Sequence, residues 1–235
     1  MNNFENFGLP ESIIAALNKI NFTTPTPIQE QAIPVAMNGC DILGSAQTGT
    51  GKTGAFTIPM IAHLMENPSA TALVLLPTRE LAQQVREAAD KMLGSRSGIL
   101  TALLIGGESM SRQLQQLKQR PRIIIGTPGR INDHLLRRSL KLTDTDFLVL
   151  DETDRMLDMG FGIQLDQIVK FLPEKRQTLM FSATLPANII SLSKKYLTNP
   201  QRIAIGSTNA VASKVRQELV KTNEAMKYGE LLNQL

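Results

Sequence analysis

The chain has 235 residues, 42% hydrophobic and 20% charged, which is ordinary globular usage and excludes a fibrous or disordered protein. The 25 Lys and Arg residues outnumber the 21 Asp and Glu residues and give a net charge of +4. A single cysteine excludes an intramolecular disulfide, and no apolar run reaches the roughly 20 residues of a membrane helix. With no secretory leader in the sequence, we expect a cytoplasmic protein without membrane contact.

Two helical segments are predicted first, over Glu11–Ile20 and Ile28–Met37. Short apolar runs, predicted as strands, then alternate with segments of helical periodicity. The predicted strands are Asp41–Ser45, Thr71–Leu76, Leu100–Ile105, Arg122–Gly126, Phe147–Leu150, Thr178–Phe181 and Arg202–Ile205. The predicted helices between them are Ala55–Glu66, Glu80–Leu93, Ser109–Lys118, Arg130–Arg137, Phe161–Phe171 and Ala187–Tyr196. Because most of these strands are apolar on both faces, we predict a doubly wound α/β fold, mostly parallel, with helices on both sides of the sheet.

The positive charge is unevenly distributed along the chain. Residues 1–93 carry a net charge of −3 and residues 94–235 a net charge of +7. Residues 112–141 contain eight basic residues and a single acidic one, Asp133. This basic run is a candidate surface for a phosphate backbone, although a solvated helix face explains the same pattern.

A phosphate-binding loop follows the first predicted strand and leads directly into a helix. The loop consists of Ala46, Gln47, Thr48, Gly49, Thr50, Gly51, Lys52 and Thr53. Glycines let successive N–H groups face a triphosphate, while Lys52 would reach the β- and γ-phosphates and the Thr53 hydroxyl would ligate Mg²⁺. The sequence therefore predicts ATP and Mg²⁺ as cofactors, with Ala46 standing where the common pattern has Gly.

An acidic box follows the strand Phe147–Leu150 and reads Asp151, Glu152, Thr153 and Asp154. Carboxylates belong at the carboxyl end of a parallel strand beside a phosphate site. Asp151 would hold Mg²⁺, mainly through water, and Glu152 would orient or deprotonate the water that attacks the γ-phosphate. An acidic N-cap of a helix is the alternative interpretation.

Further short motifs occur in order along the chain, before and after the loop and the acidic box. They are Phe22–Gln29 with an upstream aromatic at Phe4, Pro77–Leu81, Gly106–Gly107, Thr127–Arg130 and Ser182–Thr184. With the loop and the acidic box, they make residues 1–206 resemble the first RecA-like domain of a DEAD-box ATP-dependent RNA helicase. The resemblance divides the chain into a helical prelude (1–40), an ATP-binding RecA-like domain (41–206) and a linker with the start of a second RecA-like domain (207–235).

The resemblance also implies site residues. Lys52, Asp151 and Glu152 would be catalytic, and the nucleotide would contact the loop together with Phe22, Thr24 and Gln29. An amide offers both a donor and an acceptor, so Gln29 suits the adenine edge; Phe22 would stack on the base, although a core role is also open. RNA backbone contacts are implied for Pro77, Thr78, Arg79, Gly106, Gly107, Thr127, Pro128, Gly129 and Arg130. Asp154, Ser182 and Thr184 would couple the nucleotide state to strand separation, unless the two hydroxyls only cap a helix.

Two residues depart from the family pattern. Thr153 stands where the acidic box usually has Ala, and Asn21 where Gly usually precedes the aromatic residue. We expect the Mg²⁺ chemistry to survive the first change and a tight turn to survive the second, since Asn tolerates left-handed backbone.

The implied activity is RNA-dependent ATP hydrolysis that separates short RNA duplexes, with sequence-independent backbone binding. The implied partners are RNA and the second RecA-like domain of the full-length chain. Without that domain's arginine finger the fragment is expected to hydrolyse ATP very slowly, and a monomer is expected. A DNA-directed helicase and an RNA clamp that does not unwind remain open alternatives.

Overall fold

The computed structural model describes residues 3–94, 97–205, 222–223 and 226–233. Within these ranges a 3₁₀ helix (Phe4–Phe7) precedes seven strands and ten α-helices. The strands are β1 (Ile42–Ser45), β2 (Thr71–Leu75), β3 (Thr101–Leu104), β4 (Ile123–Gly126), β5 (Thr145–Leu150), β6 (Gln177–Ser182) and β7 (Gln201–Ala204). The helices are α1 (Glu11–Lys19), α2 (Pro27–Met37), α3 (Lys52–Glu66), α4 (Arg79–Leu93), α5 (Met110–Lys118), α6 (Pro128–Leu136), α7 (Thr153–Asp158), α8 (Gly162–Val169), α9 (Ala187–Tyr196) and α10 (Lys227–Asn233). All seven predicted strands are present, whereas α7 and α10 were not predicted.

The strands form one sheet in the order β3-β4-β2-β5-β6-β1-β7, and every neighbouring pair is parallel. The predicted doubly wound α/β class is therefore confirmed. Because all strands run in one direction, their carboxyl ends meet at a single edge, here called the carboxyl edge. The opposite edge, where the strands begin, is called the amino edge.

Every strand except the edge strand β7 buries side chains on both faces of the sheet. In β5, Phe147 and Val149 pack with α1, α2, α3 and α4, whereas Leu148 and Leu150 pack with α6, α7, α8 and α9. The continuous apolar runs of the sequence result from this double coverage. A sheet covered by helices on both faces over its central strands thus positions the loops that emerge at the carboxyl edge.

The predicted linker over 207–235 lies largely outside the described residues. Helix α10 falls within it, and its side chains at Tyr228, Leu231 and Leu232 are exposed. In the part of the chain that is described, no helix is both long enough and apolar enough to span a bilayer.

Candidate active site and nucleic-acid interface

The phosphate-binding loop joins β1 to α3 and turns through left-handed backbone at Gly51, where φ is +97°. A Cβ on Gly51 would lie 2.6 Å from both Nε2 of Gln29 and Oγ1 of Thr26. Only glycine accepts this backbone conformation and this close approach together. The turn places the N-terminus of α3, with its free N–H groups, at the carboxyl edge, as an anion site requires.

Lys52 and Asp151 meet below this loop. Nζ of Lys52 lies 3.9 Å from Oδ1 of Asp151 and donates a hydrogen bond to the carbonyl oxygen of Ala46 at 3.0 Å. Both side chains are buried, each about 6% exposed. The Lys52 ammonium group is therefore held by a carbonyl oxygen of its own loop. The oxygens of a bound phosphate can replace that carbonyl oxygen as its hydrogen-bond acceptor.

The carboxyl group of Asp151 lies at the end of β5. Burial raises its pKa to about 6, although the Lys52 ammonium and the N–H of Glu152 oppose that rise. The N–H of Glu152 donates to Oδ1 of Asp151 at 2.9 Å. A buried carboxylate with so high a pKa is stabilised by any further cation that approaches it.

Glu152 adopts left-handed backbone, with φ +51° and ψ +49°, at the N-cap of α7. For a residue with a side chain this conformation is strained, and such strain concentrates at functional sites. Glu152 as a whole is 9% exposed, and its carboxylate lies 3.3 Å from the Arg155 guanidinium. Sequence propensity did not indicate this left-handed turn at Glu152.

Gln29 is fully buried beside the loop. Its Oε1 accepts the N–H of Thr26 at 3.0 Å, and its Nε2 donates to the carbonyl oxygen of Gly51 at 2.8 Å. The first bond caps α2, and the second ties α2 to the phosphate-binding loop. In this structure the Gln29 amide faces the loop. Recognition of the adenine edge by Gln29 stays a prediction.

Phe22 lies half-buried, with its ring stacked on Phe4 at 5.3 Å between centroids and 27° between planes. Phe4 is 2% exposed and belongs to the core. Asn21 has a φ of +56°, so the predicted tight turn before the aromatic residue is present. Core packing accounts for Phe4 and for one face of Phe22, and stacking of a base on Phe22 stays a prediction.

Asp154 connects the acidic box to the segment Ser182–Thr184. Its Oδ2 accepts the N–H of Ala183 at 3.1 Å, and both the N–H and the hydroxyl of Thr184 at 3.0 Å. The Ser182 hydroxyl instead donates to the carbonyl oxygen of Thr184 at 2.6 Å. Of the two hydroxyls expected at Asp154, only that of Thr184 reaches it, because Ser182 points into its own turn.

A second depression lies at the carboxyl edge, beyond β2 and β4, and is called here the cleft. Its volume is about 510 Å³. It is lined by Pro77, Thr78, Arg79, Glu80, Gly106, Thr127, Gly129, Arg130, Asp133, Met159 and Phe161. The three separate motifs predicted to hold RNA thus converge on one surface.

Arg79 lines the cleft, and its guanidinium packs against Gly107. Gly107 has a φ of +80°, and a Cβ there would lie 2.0 Å from Nη1 of Arg79. The double glycine therefore makes room for the guanidinium. Arg79, exposed on its outer side, is positioned by this packing rather than by an ion pair with its neighbour Glu80.

Arg130 also lines the cleft and is fixed there by two contacts. Its Nη1 donates to the carbonyl oxygen of Glu108 at 3.2 Å, and its Nε lies 3.7 Å from Oδ2 of Asp133. These contacts orient the guanidinium at the start of α6, although the sequence indicated neither Glu108 nor Asp133 as a partner of Arg130. Asp133 lies one helical turn after Arg130, a spacing that could have indicated the pair.

The basic run of residues 112–141 is not a single surface, contrary to the sequence-based prediction. Arg112 and Arg130 lie near the starts of α5 and α6, at the carboxyl edge. Arg120, Arg122 and Lys141 instead line a different depression, at the amino edge beside Thr71 and Asp144. Helices run antiparallel to the strands they follow, so successive loops alternate between the two edges. Arg122 is moreover engaged in bonds to the carbonyl oxygens of Leu64 and Ala70.

The sequence pattern of the DEAD/DEAH box helicase family matches residues 26–192. The chain belongs to this family. The match includes the phosphate-binding loop, the acidic box, the segment Ser182–Thr184 and every residue predicted to face RNA. The DEAD-box resemblance stated from the motifs is thereby confirmed.

Curated relatives agree with this assignment. The ATP-dependent RNA helicase CshA of Listeria monocytogenes is 43% identical over 232 residues, which are 98% of this chain and 44% of the relative. The DEAD-box ATP-dependent RNA helicase RhpA of Helicobacter pylori is 42% identical over 221 residues, which are 94% of this chain and 45% of the relative. The chain spans less than half the length of these relatives.

A solved structure shows the same fold. The crystal structure of a DEAD box protein from the hyperthermophile Methanococcus jannaschii superimposes with a TM-score of 0.82 and 35% sequence identity. The superposition covers 99% of this chain and 62% of that protein. The RecA-like α/β fold that the resemblance implied is thus that of a DEAD box protein.

Proposed function

We propose that this chain is the ATP-binding part of an ATP-dependent RNA helicase that separates short RNA duplexes. The observation that carries the proposal is the buried approach of Lys52 to Asp151, at 3.9 Å, beneath a glycine-rich loop. The cleft opens at the same edge of the same sheet. One rigid element therefore holds a nucleotide site and a surface suited to a polyanion.

In this proposal, the triphosphate binds at the N-terminus of α3 and draws Nζ of Lys52 away from the Ala46 carbonyl. Lys52 then stabilises the charge that develops on the γ-phosphate. Glu152, held in its strained turn, orients or deprotonates the attacking water. Gln29, already bonded to Gly51, senses the nucleotide through the loop and presents the rest of its amide to the base.

The donor set at this edge fits Mg²⁺. Asp151 offers a buried carboxylate and Thr53 a hydroxyl, and hard cations prefer such oxygens. Nowhere in the described ranges do three His, Cys, Asp or Glu side chains converge. The protein would thus supply one carboxylate and one hydroxyl and share the ion with phosphate and water. When bound, the ion would neutralise negative charge on the triphosphate.

RNA is proposed to bind along the cleft through its phosphates and sugars. Arg79 and Arg130 line the cleft together with Thr127, at the N-termini of α4 and α6, whose N–H groups can also bind phosphate. Backbone contacts carry no base sequence, so binding should be sequence-independent and weakened by salt.

The relatives are more than twice as long as this chain, which supports a second RecA-like domain as its partner in the full-length protein. In this proposal, that domain completes the ATP site and the RNA grip at the carboxyl edge. The single cysteine, Cys40, is compatible with the reducing cytoplasm that we propose as the compartment.

The test is RNA-stimulated ATP turnover of the full-length protein. Lys52→Ala and Glu152→Gln should each reduce turnover by about 100-fold or more, because each removes a group that acts on the transferring phosphoryl group. Lys175→Ala and Glu174→Gln make the same chemical changes at exposed positions of the α8–β6 turn and should leave turnover unchanged. Turnover that persists in both site variants would refute the nucleotide assignment.

A comparison of RNA and DNA strands of the same sequence tests which nucleic acid stimulates ATP turnover. An RNA oligonucleotide should stimulate turnover more strongly than the DNA oligonucleotide of the same sequence, because a 2′-hydroxyl is the group that distinguishes them. Equal or stronger stimulation by DNA would make the protein a DNA-directed enzyme.

A further inference from the structure

The residue that departs from the family pattern in the acidic box makes a bond of its own. Thr153 is the first residue of α7 and is fully buried. Its hydroxyl donates to the carbonyl oxygen of Phe181 at 3.0 Å and lies 3.4 Å from that of Leu150. An alanine at this position, the usual residue of the box, has no atom that could form this bond.

The bond lies where two strands separate. The pairing of β5 with β6 ends at Leu150 opposite Met180, after which β5 turns into the acidic box. The Phe181 carbonyl lies one residue beyond that last pair. The Thr153 hydroxyl therefore takes the place of the next backbone donor and extends the connection between the strands past the end of the sheet.

This connection joins two elements of the proposed mechanism. Thr153 follows Glu152 directly, and Phe181 directly precedes Ser182. A second connection, from Asp154 to Thr184, lies beside it but is reachable by water, since Thr184 is exposed and Asp154 only half-buried. Water competes for the outer bond and not for the buried one. The Thr153 bond thus keeps the two segments in register when the outer bond opens.

We infer that Thr153 is a positioning residue, whose hydroxyl holds the acidic box to the segment Ser182–Thr184 so that each ATP hydrolysed is converted efficiently into strand separation. The inference rests on the proposed helicase function and deepens it. Thr153 touches neither nucleotide nor RNA in this role. It acts through the Phe181 backbone, and its effect is expected in the coupling between the two activities.

The measurement is the number of RNA duplexes separated per ATP hydrolysed, with the full-length protein and saturating RNA. Both activities scale with the amount of folded protein, so their ratio does not change if a variant is only less stable. Thr153→Val keeps the shape of the side chain and removes the hydroxyl; Thr153→Ala installs the residue usual in the family. Both should lower the ratio about fivefold, the factor that corresponds to one neutral hydrogen bond, at unchanged KM for ATP.

Two controls accompany these variants. Thr153→Ser keeps the donor and should restore the wild-type ratio. Thr178→Val removes another buried hydroxyl from β6, one without a hydrogen-bond partner, and should leave the ratio unchanged. An unchanged ratio in Thr153→Val and Thr153→Ala, or an equal loss in Thr153→Ser, would overturn the inference. Wild-type protein without RNA-stimulated turnover would instead refute the proposed function, and this role with it.

Discussion

The nucleotide site and the cleft lie on one edge of one sheet, but they are built in different ways. At the nucleotide site, Lys52, Asp151 and Glu152 are only 6%, 6% and 9% exposed, and each is held by its own loop or by a neighbouring charge. In the cleft, Arg79 is exposed and Arg130 half-buried, and glycines and carbonyl oxygens position them from below.

The difference matches the two ligands proposed. Buried charges interact strongly and tolerate little displacement, as suits a reaction that needs atoms placed within a fraction of an ångström. Partly exposed guanidinium groups interact weakly and are screened by salt, as suits a strand that must be gripped and released. Substitutions at the nucleotide site should therefore have large structural costs, and those in the cleft mainly a cost in RNA affinity.

The largest effect is expected at Gly51. Gly51→Ala should lower the free energy of unfolding by about 2–4 kcal/mol, because it combines left-handed strain with a collision against Gln29 and Thr26. Gly49→Ala is the control: φ is +85° there, but no atom lies within 4 Å of the added Cβ, so only about 1–2 kcal/mol of strain is expected. Denaturant unfolding without nucleotide measures both. Equal losses would show that the packing around Gly51 is not tight.

Gly107→Ala should act on the cleft without a comparable loss of stability. The added Cβ meets the far end of the flexible Arg79 side chain, which can move aside but loses its position. We expect the concentration of RNA that half-saturates ATP turnover to rise about tenfold, as for a lost charge-assisted contact. Gly39→Ala, with a φ of +73° and open space around it, is the matched strain control. An unchanged RNA requirement in Gly107→Ala would contradict the role given to Arg79.

Arg130→Ala should weaken RNA binding about fivefold and reduce the slope of log affinity against log salt by about one. The matched variant is Arg137→Ala, at the far end of the same helix and exposed, for which neither change is expected. Fluorescence anisotropy with a labelled RNA at several salt concentrations measures both quantities. A larger loss in Arg137→Ala than in Arg130→Ala would place RNA at the amino edge.

The smallest expected effect is a pH dependence from His134, which is buried behind the cleft. Its Nε2 lies 3.0 Å from Oε1 of Gln113, whose Nε2 donates to the carbonyl oxygen of Ile105, just before the double glycine. Burial, and next the charge of Arg130, lower the pKa of His134; Arg137 lowers it further and Asp133 opposes them.

A lowered pKa means that the folded protein favours neutral His134. Its contribution to stability is therefore complete above the ordinary histidine pKa of about 6.5 and is lost as the pH falls through that value towards the lower pKa of the folded protein. Unfolding followed between pH 8 and pH 5 should show wild-type protein losing more stability on acidification than His134→Gln. Parallel curves would contradict the assignment.

Much of the fold was predictable because the sequence patterns that indicate its strands and helices are local. The strands are continuous apolar runs, and parallel strands bring motifs that are distant in sequence to one edge. Helix α7 was not among the predicted helices because its six residues are too few for a periodicity; only the alternative interpretation of the acidic box as a helix N-cap indicated it. The left-handed turn at Glu152 has no propensity signal, since this backbone conformation favours Gly, Asn and Asp rather than Glu.

The side chains at the site were predicted better than their partners. Lys52, Asp151 and Arg130 follow from motifs, whereas the Thr153 bond to Phe181 joins residues 28 positions apart and depends on where two strands separate. The basic run was misplaced for a different reason. Residues that follow one another in sequence were taken as one surface, although the predicted helix ends already placed Lys118 and Arg137 at the amino edge.

The claim that ATP and RNA share the carboxyl edge is tested most directly by cross-linking. Full-length protein would be bound to a photoreactive RNA in the presence of a non-hydrolysable ATP analogue, and the cross-linked peptides mapped by mass spectrometry. Adducts should concentrate in the segments 77–79, 106–109 and 127–130, and the wild-type pattern should weaken in Arg130→Ala. Adducts concentrated instead at 118–122 and 137–141 would place RNA on the amino edge and contradict the shared site.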